Sequence, residues 1–203
     1  MTALVIDIGN TSTSIGYCRN GKVSGVGRCA SRFKDAATVV PLITARPVDC
    51  VVISSVIPRV NARWKKVVKS AGLPDPLFVT HTLQLGVPVD YPHPERIGAD
   101  RLANAAAAAR LFALPSVVCD FGTALTFDIL DRKRGYIGGV ICPGLPLMFD
   151  YLAERTAKLP AVEPGPVNRV IGRSTKEAMR IGARYGYRGM VREILAVLRE
   201  ELH

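Results

Sequence analysis

Apolar and polar residues alternate with a period of two in the N-terminal part of the chain, which is typical of β-strands. The Asn20-Gly21 pair between two such stretches indicates a tight hairpin turn. Longer amphipathic stretches, one with Pro58 near its start, predict helices. The predicted strands span 3–7, 12–18, 22–28 and 50–54, and the predicted helices span 34–44 and 58–70. A β-meander followed by α/β alternation is therefore expected.

A second set of elements follows a proline-rich connection at Leu73–Tyr91. The alanine run Ala105–Ala109 predicts a closely packed helix over 98–112. After it the pattern predicts strands at 116–120, 124–131 and 136–141 and a long helix at 174–202. We expect an α/β protein with two related domains, 1–113 and 114–203.

Composition restricts the class of protein. The 203 residues are 48% hydrophobic, enough for a sizeable core, yet no stretch approaches the roughly 20 apolar residues of a membrane span. The five cysteines are scattered singly, without metal-ligand spacing. These features predict a cytoplasmic protein without a membrane partner.

A formal net charge of +10 raises the question of a nucleic-acid partner. The basic residues are spread along the chain, however, and the densest group, Arg132-Lys133-Arg134, falls in a predicted hairpin turn. A solvated basic surface explains them better, and it would attract small anions to a cleft. Nucleic acid is therefore the less favoured partner.

The main functional signal is a repeated Asp-x-Gly motif. Asp7-Ile8-Gly9-Asn10-Thr11-Ser12-Thr13 and Asp120-Phe121-Gly122-Thr123-Ala124-Leu125-Thr126 share Asp, Gly and the final Thr. Each motif lies between two predicted strands. A carboxylate there can hold hydrated Mg²⁺, and glycine lets the backbone approach phosphate oxygens. Two such turns predict a phosphate clamp in a phosphoryl-transfer enzyme, whereas one turn alone is more often only a turn.

Two other nucleotide-binding motifs are not favoured. The chain lacks the Gly-x-x-x-x-Gly-Lys-Ser/Thr string of P-loop enzymes. The segment Gly25-Val26-Gly27-Arg28-Cys29-Ala30 fits the loose dinucleotide pattern, but it follows a hairpin and not the first strand of a βαβ unit.

Five motifs in order resemble the type III pantothenate kinases over residues 1 to about 195. They are Asp7 to Thr11, Gly98-Ala99-Asp100-Arg101, Asp120 to Ala124, Gly138-Gly139-Val140-Ile141-Cys142-Pro143-Gly144 and Gly172-Arg173-Ser174-Thr175. The resemblance implies an actin-like (ribonuclease H-like) fold, shared with acetate and sugar kinases and heat-shock ATPases. It also implies that ATP phosphorylates pantothenate to 4′-phosphopantothenate, the first step of coenzyme A synthesis.

The same resemblance assigns roles to single residues. Asp100 would accept the proton of the pantothenate hydroxyl. Asp120 would bind a monovalent cation, potassium or ammonium, and Asp7 is a candidate ligand for Mg²⁺. The implied ATP-binding residues are Asp7, Ile8, Gly9, Asn10, Thr11, Ser12, Thr13, Ser14 and Thr123. The implied substrate-binding residues are Tyr91, Gly98, Ala99, Asp100, Arg101 and Thr175, with Thr175 reaching a partner subunit's site in a homodimer.

Two features leave alternatives open. Members of this family usually continue past the long helix into a Thr-Gly-Gly turn and further helices that hold adenosine, which implies that the second domain is incomplete here. A non-catalytic regulatory or binding relative of the kinase, associated with nucleic acid through its charge, is therefore the alternative function. For Thr175 and Ser174, a helix cap is the simpler structural interpretation.

Overall fold

The computed structural model describes residues 1–202. The chain divides into two compact units, Met1–Phe112 and Ala113–His203, and each is treated by itself. Among the described residues, no helix has the length and apolar character that crossing a membrane requires.

The first unit contains five strands, which are β1 (Thr2–Ile8), β2 (Ser12–Arg19), β3 (Lys22–Ala30), β4 (Cys50–Ser55) and β5 (Leu77–Phe78). They form one sheet in the order β3-β2-β1-β4-β5. Strands β1, β2 and β3 form an antiparallel meander, β4 pairs with β1 in parallel, and β5 pairs with β4 in parallel. The Asn20-Gly21 turn is confirmed, since both residues have positive φ, of 51° and 74°.

One face of this sheet carries the apolar core. Leu4, Ile6 and Ile8 of β1 point into it, together with Val51 and Ile53 of β4. Helices α1 (Val40–Ile43) and α2 (Pro58–Ser70) cover this face, and the fully buried Trp64 packs its ring edge-on against Phe33.

Helix α3 (Ala99–Leu111) also packs against β4. Because α1 and α2 occupy the first face, α3 lies on the other one. That face carries the alternate residues of the two parallel strands, Val5 and Asp7 from β1 and Val52 and Ser54 from β4. The polar residues are the last ones on this face before the strands end.

The second unit contains the strands β6 (Ser116–Phe121), β7 (Ala124–Asp131) and β8 (Gly135–Pro143), which form an antiparallel sheet in that order. Its helices are α4 (Leu145–Arg155) and α5 (Thr175–Glu201). The predicted turn after β7 is confirmed, because Asp131 Oδ1 accepts the amides of Lys133 and Arg134, both at 2.8 Å.

Both helices of the second unit pack on one face of its sheet. Leu125 and Phe127 of β7 are fully buried there and contact Tyr187, Met190 and other residues of α5. Residues 126 and 120 alternate with these and lie on the opposite face. Each unit thus places the Asp of its hairpin on the face opposite the core formed by α1 and α2 in the first unit and by α4 and α5 in the second.

The prediction of a continuous helix at 34–44 was wrong. The structure has a short 3-10 turn at Ala36–Thr38, capped by Asp35, and then the four-residue α1. Pro41 has no amide to donate and its ring clashes with the preceding turn, so a helix cannot run through it. The pattern also missed α4, which follows Pro143 and Gly144 and starts with a proline in its first turn.

Buried hydroxyls fix the open end of the first hairpin. Thr13 Oγ1 and Ser31 Oγ lie 3.0 Å apart in the interior, and Ser31 donates to the Gly9 carbonyl at 2.6 Å. The Ser31 amide donates to the Thr11 carbonyl at 3.3 Å. Residue 31, just after β3, therefore holds the turn between β1 and β2.

Replacing Ser31 by Ala should lower the free energy of unfolding by about 1–3 kcal/mol, because it leaves the buried Thr13 hydroxyl without its partner. The double variant Ser31→Ala/Thr13→Val should recover part of that loss, since it removes both polar groups. Urea unfolding measures both effects. Ser24→Ala, at an exposed serine, is the control. A Ser31→Ala effect no larger than that of the control would contradict this role.

Gly144 should not tolerate a side chain. A Cβ there would overlap the carbonyl oxygens of Gly122 and Thr123 and lie 2.8 Å from the Thr123 carbonyl carbon. Gly144→Ala should therefore destabilise the second unit by about 1–3 kcal/mol.

Gly189→Ala provides the matched control for Gly144. Gly189 lies inside α5, and a Cβ added there would have no neighbour within 4 Å, so alanine should stabilise the helix by about 0.5–1 kcal/mol. Thermal unfolding of both variants should show shifts of opposite sign. Equal shifts would show that the close approach at Gly144 is unimportant.

Candidate functional site

The first hairpin presents a small polar loop at the end of β1. Gly9 donates its amide to the Ser12 carbonyl at 3.1 Å, and a Cβ on Gly9 would lie 3.0 Å from that oxygen. Asn10 and Thr11 form the exposed tip. The glycine thus permits a compact turn whose backbone a phosphate group could approach closely.

The candidate residues of this loop divide into two groups. The side chains of Asp7, Asn10, Thr11 and Ser12 are exposed, and Ser14 is partly buried. Ile8 and Thr13, in contrast, are fully buried, and the Thr13 hydroxyl pairs with Ser31. Ile8 and Thr13 therefore shape the loop from the core and present no side-chain group at its surface.

The second hairpin is tighter than the first. Its turn consists of Gly122 and Thr123, with the Gly122 amide donating to the Ala124 carbonyl at 3.0 Å. Gly144, just after β8, donates to the Thr123 carbonyl at 3.0 Å. The Gly138–Gly144 motif therefore ends in a residue that packs on this turn. Asp120 and Thr123 are both exposed.

The two motifs are not equivalent beyond the turn. Asp7 pairs across the sheet with Ser14, whereas Asp120 pairs with Thr126. The shared final threonine of the sequence repeat thus takes different places, since Thr13 pairs with Ile8 in the core. The first loop is one residue longer, so the structural counterpart of Thr126 is Ser14.

Helix α3 begins with the Gly98 to Arg101 motif. Asp100 lies in the first turn, where the helix N-terminus favours a negative charge, and its Oδ1 accepts the Arg101 amide at 2.8 Å. A Cβ on Gly98 would overlap that same oxygen. Gly98 thus leaves the space in which the Asp100 carboxylate folds over the helix start. Ala99 is buried beneath this turn.

Asp100 and Asp7 belong to the same layer of the first unit. Asp7 lies on the sheet face against which α3 packs, and Asp100 lies at the start of that helix. Tyr91, in the connection that leads to α3, is 38% exposed.

The Gly172 to Thr175 motif forms the start of α5. Ser174 is the cap, its Oγ accepting the Glu177 amide at 3.2 Å, and Thr175 is the first helical residue. A Cβ on Gly172 would come within 2.6 Å of the Ala178 amide. The capping interpretation is therefore confirmed for Ser174, and the exposed Thr175 hydroxyl is not used as the cap.

No group of three or more His, Cys, Asp or Glu side chains within residues 1–202 could hold a metal by itself. Burial raises the pKa of the Cys119 thiol, and the nearby Asp128 carboxylate raises it further. Cys119, next to Asp120, is therefore protonated at neutral pH and is not an activated nucleophile.

Three cavities of the second unit lie along its helices. Cavities of about 310, 400 and 500 Å³ run along α4 and α5 and are lined mainly by apolar residues such as Phe149, Met148 and Tyr187. None of these three cavities is lined by a residue that the sequence assigned to the site.

Two polar residues of the α3 layer were missed by the sequence analysis. Ser54 at the end of β4 and Asn104, one turn after Asp100, each have a buried side-chain atom without a hydrogen-bond partner. The residues that flank Ser54 and Asn104 in the sequence are typical of the end of a strand and of a helix, respectively, so they gave no functional signal. Only the pairing of β4 with β1 could have singled out Ser54.

Comparison with known proteins identifies the family. The family model for type III pantothenate kinase matches residues 3–197. A type III pantothenate kinase of Akkermansia muciniphila is 54% identical over 155 residues, covering 76% of this chain and 62% of the relative. One of Methylacidiphilum infernorum is 40% identical over 199 residues, covering 98% of this chain and 72% of the relative.

A solved structure from Campylobacter jejuni, named for the Baf family of transcriptional activators, is similar in fold. It has a TM-score of 0.58 at 17% identity and covers 94% of this chain and 78% of its own. The fold is accordingly an actin-like mixed α/β fold. The family match over nearly the whole chain and the identities of 40–54% show that this chain belongs to the type III pantothenate kinase family of enzymes.

Proposed function

We propose that this protein transfers phosphate from ATP to pantothenate, forming 4′-phosphopantothenate for coenzyme A synthesis. Family membership supports the activity, and one structural observation supports the location of the site. The Asp7 side chain and helix α3, which carries Asp100 in its first turn, share one face of the first sheet. A phosphate loop and a carboxylate for the acceptor alcohol are thereby available in one layer.

Asp100 would orient the pantothenate hydroxyl for attack. Its Oδ1 is held by the Arg101 amide, which leaves Oδ2 as the acceptor for the alcohol proton. Phosphoryl transfer passes through a loose transition state, so placing the alcohol in line contributes more than strong basicity. The Arg101 guanidinium, next in the chain, would pair with the pantothenate carboxylate.

The Gly9–Ser12 loop would bind the ATP phosphates through its backbone and the exposed Asn10, Thr11 and Ser12 side chains. Kinases of this family require ATP and a divalent metal, and Asp7 offers a carboxylate at the edge of the loop. When bound, Mg²⁺ neutralises charge on the phosphates. Ile8 and Thr13 would hold the loop from the core, and Thr123 would contact ATP from the second hairpin.

Three finer assignments complete the proposal. Asp120, exposed and paired across the sheet with Thr126, would bind potassium or ammonium through oxygen ligands. Thr175, exposed at the start of α5, would reach the substrate of a partner subunit in a homodimer, and Tyr91 would line the substrate. A cytoplasmic location follows from the expected substrates.

The nucleic-acid alternative is not favoured by family membership. The hairpin with Arg132, Lys133 and Arg134 is a solvated turn ordered by Asp131. Binding to DNA or RNA that falls steeply with salt, without phosphoryl transfer, would instead favour the alternative.

With ATP, Mg²⁺ and potassium, the protein should phosphorylate pantothenate but neither acetate nor glucose. Mass spectrometry of the product checks the reaction. Pantothenate alone should also raise the melting temperature, because a ligand that binds only the folded state stabilises it. Absence of both product and thermal shift would refute the proposed function.

Asp100→Asn should lower kcat by about 10²–10⁴-fold, because the carboxylate that orients and deprotonates the alcohol is lost. The melting temperature should change little. Asp75→Asn, at an exposed loop position, is the control and should retain activity. If Asp100→Asn turned over at the rate of the wild type, Asp100 would have no part in the mechanism.

A further inference from the structure

Ser54 carries a buried hydroxyl group that the fold does not use. The residue is 8% exposed, and its Oγ has no hydrogen-bond partner. A buried hydroxyl without a partner destabilises the folded state, because it gives up its bonds to water. Such a group in a native structure calls for an explanation, and a ligand that pairs with it on binding is one.

Neighbouring hydroxyls show that the local fold ordinarily satisfies such groups. Ser55 Oγ donates to Asn61 Oδ1 at 2.6 Å and accepts the Ile57 amide at 3.3 Å, which organises the start of α2. Thr13 and Ser31 pair with each other. Ser116 also lacks a partner, but it lies at the beginning of β6 and not at a carboxyl-terminal strand end.

The position of Ser54 indicates where a ligand that hydrogen-bonds its hydroxyl would lie. In the parallel ladder Ser54 pairs with Asp7, so both side chains point to the same face, on strands about 4.8 Å apart. Ligands of α/β sheets bind beyond the carboxyl ends of parallel strands. Ser54 and Asp7 occupy that place on β4 and β1.

The order of the strands in the sheet indicates which of the two substrates Ser54 would contact. Strand β1 lies between β2 and β4, so the Gly9–Ser12 loop is on one side of Asp7 and Ser54 is on the other. Helix α3, which carries Asp100, packs against β4 itself. Ser54 therefore lies toward the acceptor and away from the loop assigned to the ATP phosphates.

We propose that Ser54 is a substrate-binding residue for the phosphate acceptor, its hydroxyl hydrogen-bonding a polar group of pantothenate beside Asp7. This inference rests on the proposed function and adds to its site a residue on β4. The hydroxyl is both donor and acceptor, so it suits a ligand rich in hydroxyl, amide and carboxylate groups.

The test compares pantothenate binding by the wild type, Ser54→Ala and Ser54→Cys, using calorimetry without ATP. Loss of one neutral hydrogen bond should weaken pantothenate binding about three- to tenfold in the alanine variant. The cysteine variant keeps the volume but donates weakly, so it should behave similarly. Affinity for ATP should stay at the wild-type value.

Stability in the absence of ligand separates this role from a structural one. Ser54→Ala removes an unpaired polar group, so its melting temperature should stay the same or rise. Ser55→Ala is the matched control on the adjacent residue. It should lower the melting temperature and leave pantothenate affinity unchanged.

Each possible result of these measurements either supports the role of Ser54 or overturns it. If the wild type binds pantothenate and both Ser54 variants bind it equally well, the inference is wrong and the proposed function stands. A Ser54→Ala variant that unfolds or melts several degrees lower would assign the hydroxyl to the fold and also overturn the inference. If the wild type neither binds nor phosphorylates pantothenate, the proposed function and this inference fail together.

Discussion

The alternation of side chains along β1 determines where the first unit can place a polar site. Leu4, Ile6 and Ile8 are buried against α1 and α2, so Asp7 between them must point to the opposite face. Strand β4 runs parallel and in register, and its pleat carries Ser54 to the same face. Because both strands end together, their polar residues come together at one edge of the sheet, on the face against which α3 packs.

The second unit follows the same rule with a different loop. Phe127 faces the helices, and Asp120 and Thr126 face the other way. The shorter turn, however, changes the neighbour of the carboxylate and leaves only Gly122 and Thr123 at the tip. A two-residue turn offers fewer exposed donors than the Gly9–Ser12 loop. This difference agrees with the unequal tasks that we propose for the two hairpins, a phosphate loop in one case and a cation ligand in the other.

Local signals made much of the fold predictable, whereas contacts distant in sequence did not. Asn20-Gly21 and Asp131 determine their turns through their own backbone and side-chain chemistry, and the sequence indicated both correctly. Pro41 is also a local signal, because it indicates a break in a helix. The hydrophobic periodicity of residues 34–44 nevertheless led to the prediction of a continuous helix there. The burial of Thr13 depends on Ser31, and the position of Ser54 depends on pairing with β1, 47 residues away. No pattern in the residues around Thr13 or around Ser54 indicates these contacts.

The start of α3 shows how a helix can hold a carboxylate in a fixed position. Asp100 lies in the first turn of α3, where the unpaired backbone amides of the helix N-terminus favour a negative charge. The Arg101 amide fixes one oxygen, and the absence of a side chain on Gly98 leaves room for that geometry. The position of the second carboxylate oxygen, Oδ2, is thereby also defined. In the proposed reaction little proton transfer precedes bond cleavage, so a fixed acceptor of this kind would contribute mainly by aligning the alcohol with the phosphate.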